Sequence, residues 1–217
     1  MKKKANVISS KSKLILAVFV GALSVLFFKA QTPIDSQVKS DIRMRTLYGS
    51  SNPEIQELLT FENIDKYKVE FTGDQIKGKN YSLIVKKLWD GKVTEIDTII
   101  NTSKIEGVYP IDSSLFEMTV SAKKISNNKL KVFFRFPDFG IFKMYDAIDS
   151  YDYSFRDTGT NMDIKLGKPF PAFAYILPYE TNGVKRWCAV EKSGKNVENW
   201  GKDFGIKHYL IFEMLFE

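Results

Sequence analysis

The feature that most narrows the fold is two-residue alternation broken by tight-turn residues. Residues 115–122 put Phe116, Met118, Val120 and Ala122 on one face and Glu117, Thr119 and Ser121 on the other. Asn127-Asn128 follows, a pair that tolerates the positive φ of a turn, and Leu130, Val132, Phe134 and Phe136 return in step. Successive side chains of an extended chain point to opposite faces, so these segments pair as a hairpin with one apolar side.

The same pattern recurs along the chain. Residues 67–71 (YKVEF) alternate, as do residues 81–89 (YSLIVKKLW), and Asp90-Gly91 then supplies a two-residue hairpin turn before residues 93–100 return. A third hairpin is expected to join residues 173–179 to 184–190 through Thr181-Asn182-Gly183. Residues 209–216 (YLIFEMLF) are apolar on both faces except for Glu213, which suits a strand in the middle of a sheet or between two layers. No helix falls between successive strands, which excludes a parallel βαβ arrangement.

The expected fold is therefore all-β: an antiparallel β-sandwich of about eight strands, with a closed β-barrel as the alternative. Either architecture buries alternate faces and can house 17 Phe, 10 Tyr and 3 Trp. One or two short helices are expected at its periphery. Residues 52–61 have Asn52 as cap, Pro53 at the first position and Ile55, Leu58 and Leu59 on one face. Residues 196–204 carry Val197, Trp200 and Phe204 at helical spacing, are closed by Gly205, and would use Trp200 as a lid on the sandwich.

The N-terminus reads differently. An apolar run at residues 14–28 stands behind Lys2, Lys3, Lys4, Lys11 and Lys13, the pattern of a secretory signal. As a helix it would span about 22 Å, short of a hydrocarbon core of about 30 Å. Ala30 is a good final residue before cleavage and Phe28 a poor one, so residues 1–30 are read as a signal peptide or an N-terminal anchor. Residues 31–51 read as a polar tether and residues 52–217 as a single β-sandwich domain. In general style the chain resembles exported bacterial proteins, periplasmic or secreted, or anchored to the membrane by residues 14–28. That likeness assigns no site residue.

Charge bears on the class of partner. The chain has 32 Lys and Arg against 26 Asp and Glu, but six of the lysines and none of the acids lie in residues 1–30. Residues 31–217 thus hold 26 bases and 26 acids. On that count a nucleic-acid or anionic-surface partner has no electrostatic footing, and contact with a membrane is expected only through the N-terminal run. Cys188, the only cysteine, sits in a strand-like stretch and reads as a small buried hydrophobe. His208 is the only histidine and reads as structural or simply exposed. Neither a zinc set nor a nucleophile–base pair can be assembled from them, so no metal, cofactor or catalytic residue is assigned.

Chemistry, if present, is expected in residues 137–171, which interrupt the alternation and hold six aspartates with several aromatics. Residues 143–150 are read as a short helix followed by an extended piece. Rings that stack on sugars beside acids that accept hydroxyl protons would suit a glycan. The candidate ligand-binding residues are Tyr145, Asp149, Tyr151, Asp152, Tyr153 and, at its hairpin tip, Trp89. The expected function is a non-enzymatic exported binding or structural module with a protein or glycan partner. A glycan-active hydrolase using aspartates of this segment is the alternative, and it requires one of them to have a raised pKa. A structural subunit offering its C-terminal strand as an exposed edge is a third reading.

Overall fold

The structure is a computed structural model that describes residues 41–126, 128–187 and 196–217. The leader, the first ten residues of the expected tether and Cys188 lie outside them. Hairpins form where the alternation places them. β3 (Tyr81–Trp89) turns into β4 (Lys92–Asn101) through Asp90 and Gly91, at φ 47° and 72°, the left-handed conformations this tight turn requires. β5 (Leu115–Ile125) turns into β6 (Lys129–Arg135).

Ten strands make two antiparallel sheets of five. The first runs β1 (Arg43–Tyr48), β2 (Asp65–Thr72), β5, β6, β7 (Gly140–Asp146). The second runs β4, β3, β12 (His208–Phe216), β9 (Phe170–Ile176), β8 (Ser154–Asp157). A separate ribbon pairs β10 (Tyr179–Thr181) with β11 (Val184–Arg186). The architecture is an all-β sandwich and not a closed barrel. Its two open seams are bridged by side chains: Thr46 Oγ1 donates to Asp157 Oδ2 at 2.7 Å between β1 and β8, and Lys143 Nζ reaches Asp97 Oδ2 at 3.2 Å between β7 and β4.

The interior is built of rings from facing strands. Phe212 of β12 meets Phe134 of β6 at 5.4 Å and Phe173 of β9 at 4.9 Å, and Phe216 meets Phe71 of β2 at 5.1 Å. β12 lies between β3 and β9, so the near-apolar C-terminal strand is central and offers no edge.

Helix α1 (Pro53–Phe61) is capped as expected, with Asn52 Oδ1 accepting from the amides of Glu54 and Ile55. Of its expected apolar face only Leu59 is buried; Ile55 and Leu58 are exposed. A 3₁₀ turn (Val197–Asn199) leads into helix α2 (Trp200–Phe204), which ends at Gly205 in the left-handed region. Gly201 is required there because a Cβ would stand 2.4 Å from the Cα of Gly91, at the tip of the β3–β4 turn.

Several expectations are corrected. The tether is too long at its C-terminal end: Ile42 and Met44 point inward and Arg43 and Arg45 outward, giving an edge strand that two apolar residues were too few to reveal. The expected helix at 143–150 is strand through Asp146, because pairing with β6 from Leu130↔Tyr145 to Arg135↔Gly140 fixes it as extended. Residues 137–171 are therefore no insertion; they supply β7 to the first sheet and β8 to the second. β9 does not form the third hairpin, which among the described residues is the short β10–β11 ribbon, positions 188–190 of the expected strand lying outside them; the described residues form twelve strands.

Candidate functional site

The candidate residues gather at the end of the sandwich where β3 and β7 finish and β12 begins. Tyr153, 5% exposed, closes the β7–β8 loop onto His208. Its hydroxyl accepts from the Ile148 amide at 3.0 Å and stands 2.6 Å from His208 Nδ1. Burial pushes the phenol well above its usual range, so it keeps its proton. Burial also lowers His208 to about 4, with only the charge of Asp146 pulling upward, so the imidazole is neutral. Trp89 lies on the other side, with ring centroids 4.1 Å apart. Trp89 and Tyr153 thus meet through His208, a packed bridge between hairpin tip and loop.

Lys124 organises the outer part of the same loop. It continues the buried phase of β5, and its side chain is only 3% exposed. Its ammonium binds Asp149 Oδ1 at 3.0 Å and lies 5.1 Å from the centre of the Tyr151 ring. Asp149 and Tyr151 themselves stay in solvent, Tyr151 at 64% exposure. Asp152 accepts from Lys185 Nζ at 2.6 Å and from the Ser150 hydroxyl at 2.9 Å, and its carbonyl receives the Trp187 indole N–H at 3.1 Å. Tyr145 departs from the group. It points between the sheets, 2% exposed, with Lys87 Nζ 5.4 Å from its ring centre.

The six candidates therefore divide. Asp149 and Tyr151 face solvent together, Asp152 anchors the loop to the β10–β11 ribbon, Trp89 and Tyr153 pack on His208, and Tyr145 is core. Burial removes Tyr145 and Tyr153 from any surface contact. Sequence reasoning missed Lys124, although its place in the alternation after Phe116, Met118, Val120 and Ala122 marks it as a buried cation that must be paired. It also missed Lys185 and Trp187, which the fold brings across from a separate ribbon.

The aspartates of 137–171 are dispersed among separate partners. Asp146 pairs with Lys129, Asp163 with Lys165 at 3.2 Å, and Asp157 accepts from Thr46 and Thr160. Hydrogen bonding to Lys129 and to Lys185 lowers Asp146 and Asp152 respectively, the reverse of what a general acid at neutral pH needs. Among the described residues the carboxyl that is raised is Asp65 of β2, outside the segment. Burial raises it, while hydrogen bonds from Tyr48 Oη at 2.5 Å and from Tyr175, with the charge of Arg156, hold it back. An open depression of about 560 Å³ beside Arg43 is lined by Thr160, Asn161, Met162 and Asp163, far along β1 from this cluster.

Another buried ionic group lies on the outer side of the second sheet. Lys86 Nζ sits 2.7 Å from Glu213 Oε1 and 2.6 Å from Glu198 Oε1, tying β3 and β12 to the 3₁₀ turn that covers them. Tyr209 completes that cover: its hydroxyl accepts from the Gly201 amide at 3.1 Å and lies 3.0 Å from the carbonyls of Val197 and Glu198.

Among the described residues no three His, Cys, Asp or Glu side chains converge as metal ligands, and no helix is long and apolar enough to cross a membrane. No protein-family model matches the sequence, and comparison with curated proteins and with solved structures found no significant match.

Proposed function

We propose that the chain is an exported, non-enzymatic binding module, periplasmic or secreted, that engages a protein or glycan partner through Tyr151 and Asp149. The observation that carries this reading is the pinning of an exposed ring and an exposed carboxylate on one buried ammonium, Lys124. An aromatic side chain held in place gives contact area at little entropic cost, and an adjacent carboxylate supplies directional hydrogen bonds to hydroxyl or amide groups. The paired state of the loop aspartates supports binding over hydrolysis, since carboxylates neutralised one by one by lysines are poor proton donors. Export rests on the apolar run at 14–28 behind its lysines, with Gln31 as the first residue after cleavage at Ala30.

The test is binding of purified protein to envelope fractions. Tyr151→Ala and Asp149→Ala are expected to weaken binding at least tenfold without altering the melting temperature, and Tyr151→Phe to retain it. Unchanged binding in both alanine variants would overturn the assignment. Intact mass of the native protein tests export separately: a chain beginning at Gln31 shows processing, and a full-length chain in the soluble cytosolic fraction would refute export.

A further inference from the structure

We propose that the outer face of the first sheet docks on an anionic lipid surface, with Phe142 and Met144 entering the headgroup layer and Lys66, Lys131 and Arg135 meeting lipid phosphates. The strand register sorts that face into rows. Lys68, Thr119, Arg135 and Gly140 form one; Lys66, Ser121, Phe133 and Phe142 form the next; Lys123, Lys131 and Met144 form the third. These three middle rows hold five bases and no acid. The face's carboxylates stand at its two ends, Glu70 and Glu117 beyond the first row and Asp146 beyond the third, and each is already neutralised by a lysine or arginine. Lys123 is taken by Glu62 at 2.9 Å. Among the described residues, Lys66, Lys131 and Arg135 make no ion pair, so positive charge remains where the middle rows lie.

Apolar surface sits beside that charge. Phe142 is 60% and Met144 50% exposed on the edge strand β7. The Phe142 ring is held in place by stacking on Phe133 at 4.4 Å, with Lys131 Nζ 4.8 Å from its centre. Phe133 in turn lies over Gly140, where a Cβ would stand 2.6 Å from its ring. The three uncompensated cations are spread in two dimensions: Lys131 and Arg135 are about 13 Å apart along β6, and Lys66 lies about 10 Å away across two strands. A sheet of phosphates matches that spacing in both directions. An acidic polymer would follow one row and leave Phe142 and Met144 wet, whereas a bilayer interface takes up both charge and apolar side chains.

The experiment follows the face itself, so that membrane affinity of the leader cannot imitate the result. The full chain carrying Cys188→Ser and Met144→Cys, labelled there with an environment-sensitive dye, is mixed with phosphatidylcholine vesicles with and without phosphatidylglycerol. Expected is a blue shift only with phosphatidylglycerol, reversed by high salt. Lys131→Glu with Arg135→Glu should raise the phosphatidylglycerol needed for half the shift more than tenfold. Lys92→Glu, an exposed base of the second sheet, should leave it unchanged. Absence of the shift, an equal shift in phosphatidylcholine, or insensitivity to the double reversal would overturn the proposal. So would a shift given by soluble polyphosphate or single-stranded DNA but not by vesicles. Tyr151→Ala, at the end of the sandwich, should not alter the dye response, which separates this surface from the loop's partner.

Discussion

The two sheets have the same number of strands and share one interior, yet the first is wet on its outer face whereas the middle strands β12 and β9 of the second are dry on both. Along β5 buried and half-exposed residues alternate from Phe116 to Lys124, whereas eight of the nine residues of β12 are buried. The difference comes from cover. Residues 196–206 lie across the outer side of β3 and β12; of the polar groups trapped beneath them, Lys86 and the Tyr209 hydroxyl are satisfied by partners on that cover and Glu213 by Lys86. Nothing described lies over the outer side of β2, β5 and β6, so the bases there remain in water. A sheet in this protein is thus polar or apolar outside according to what is packed on it, and its sequence has adapted strand by strand.

The largest expected effect tests the shared interior. Phe212→Ala removes a ring that touches both layers and should cost about 4 kcal/mol, read from urea denaturation. Next comes the covered face. Lys86→Met leaves Glu213 buried without its cation and should cost about 3 kcal/mol, while adding Glu213→Leu should recover most of the loss. The equivalent change on the wet face, Lys68→Met, should cost under about 1 kcal/mol, because Arg45 still neutralises Glu70 and the other partner, Glu117, is exposed. If the two lysines behave alike, the contrast between the sheets fails.

His208 gives a pH test of the same end of the second sheet. Its folded value of about 4 lies below the value of 6.5 for an ordinary histidine. Between these the unfolded chain binds a proton that the folded chain does not, so stability is full above about 6.5 and is lost as pH falls toward 4. The loss should reach roughly 3 kcal/mol. Denaturation midpoints at pH 7 and pH 4.5 measure it, and His208→Gln should flatten the difference. Asp65, raised by burial, acts in the opposite sense, its contribution to stability rising as pH falls from its raised value toward 3.8. The smallest effect belongs to the wet face again: Phe142→Ala should change stability by less than about 0.5 kcal/mol, since its ring is mostly in solvent.

Much of the fold is legible from local pattern. β3 and the Asp90-Gly91 turn, the Asn52 cap and the central place of β12 all follow from residues a few positions apart. β1 was harder because it carries few apolar residues, and β7 because its apolar residues fall on both faces and do not alternate. Around Met144 a helical and an extended period both fit, and only pairing with β6 decides between them. The candidate site is legible in composition and not in arrangement. That Tyr151 is exposed while Tyr153, two residues on and of the same phase, is buried depends on His208, 55 residues further along.

The amino-acid order determined which residues share a face of each strand, because side-chain alternation is a property of the extended backbone. It also determined where the chain turns, because Asp90, Gly91 and Asn128 adopt left-handed conformations at little cost. Tertiary structure alone decided which faces are dry and how charge is distributed. A neutral count of 26 bases and 26 acids conceals a sheet face whose middle rows hold five bases and no acid, since neutrality is a sum and an electrostatic surface depends on position. The physical reason is that strand register and the cover over β12 join residues distant in the chain, and periodicity within one strand carries no information about its neighbours.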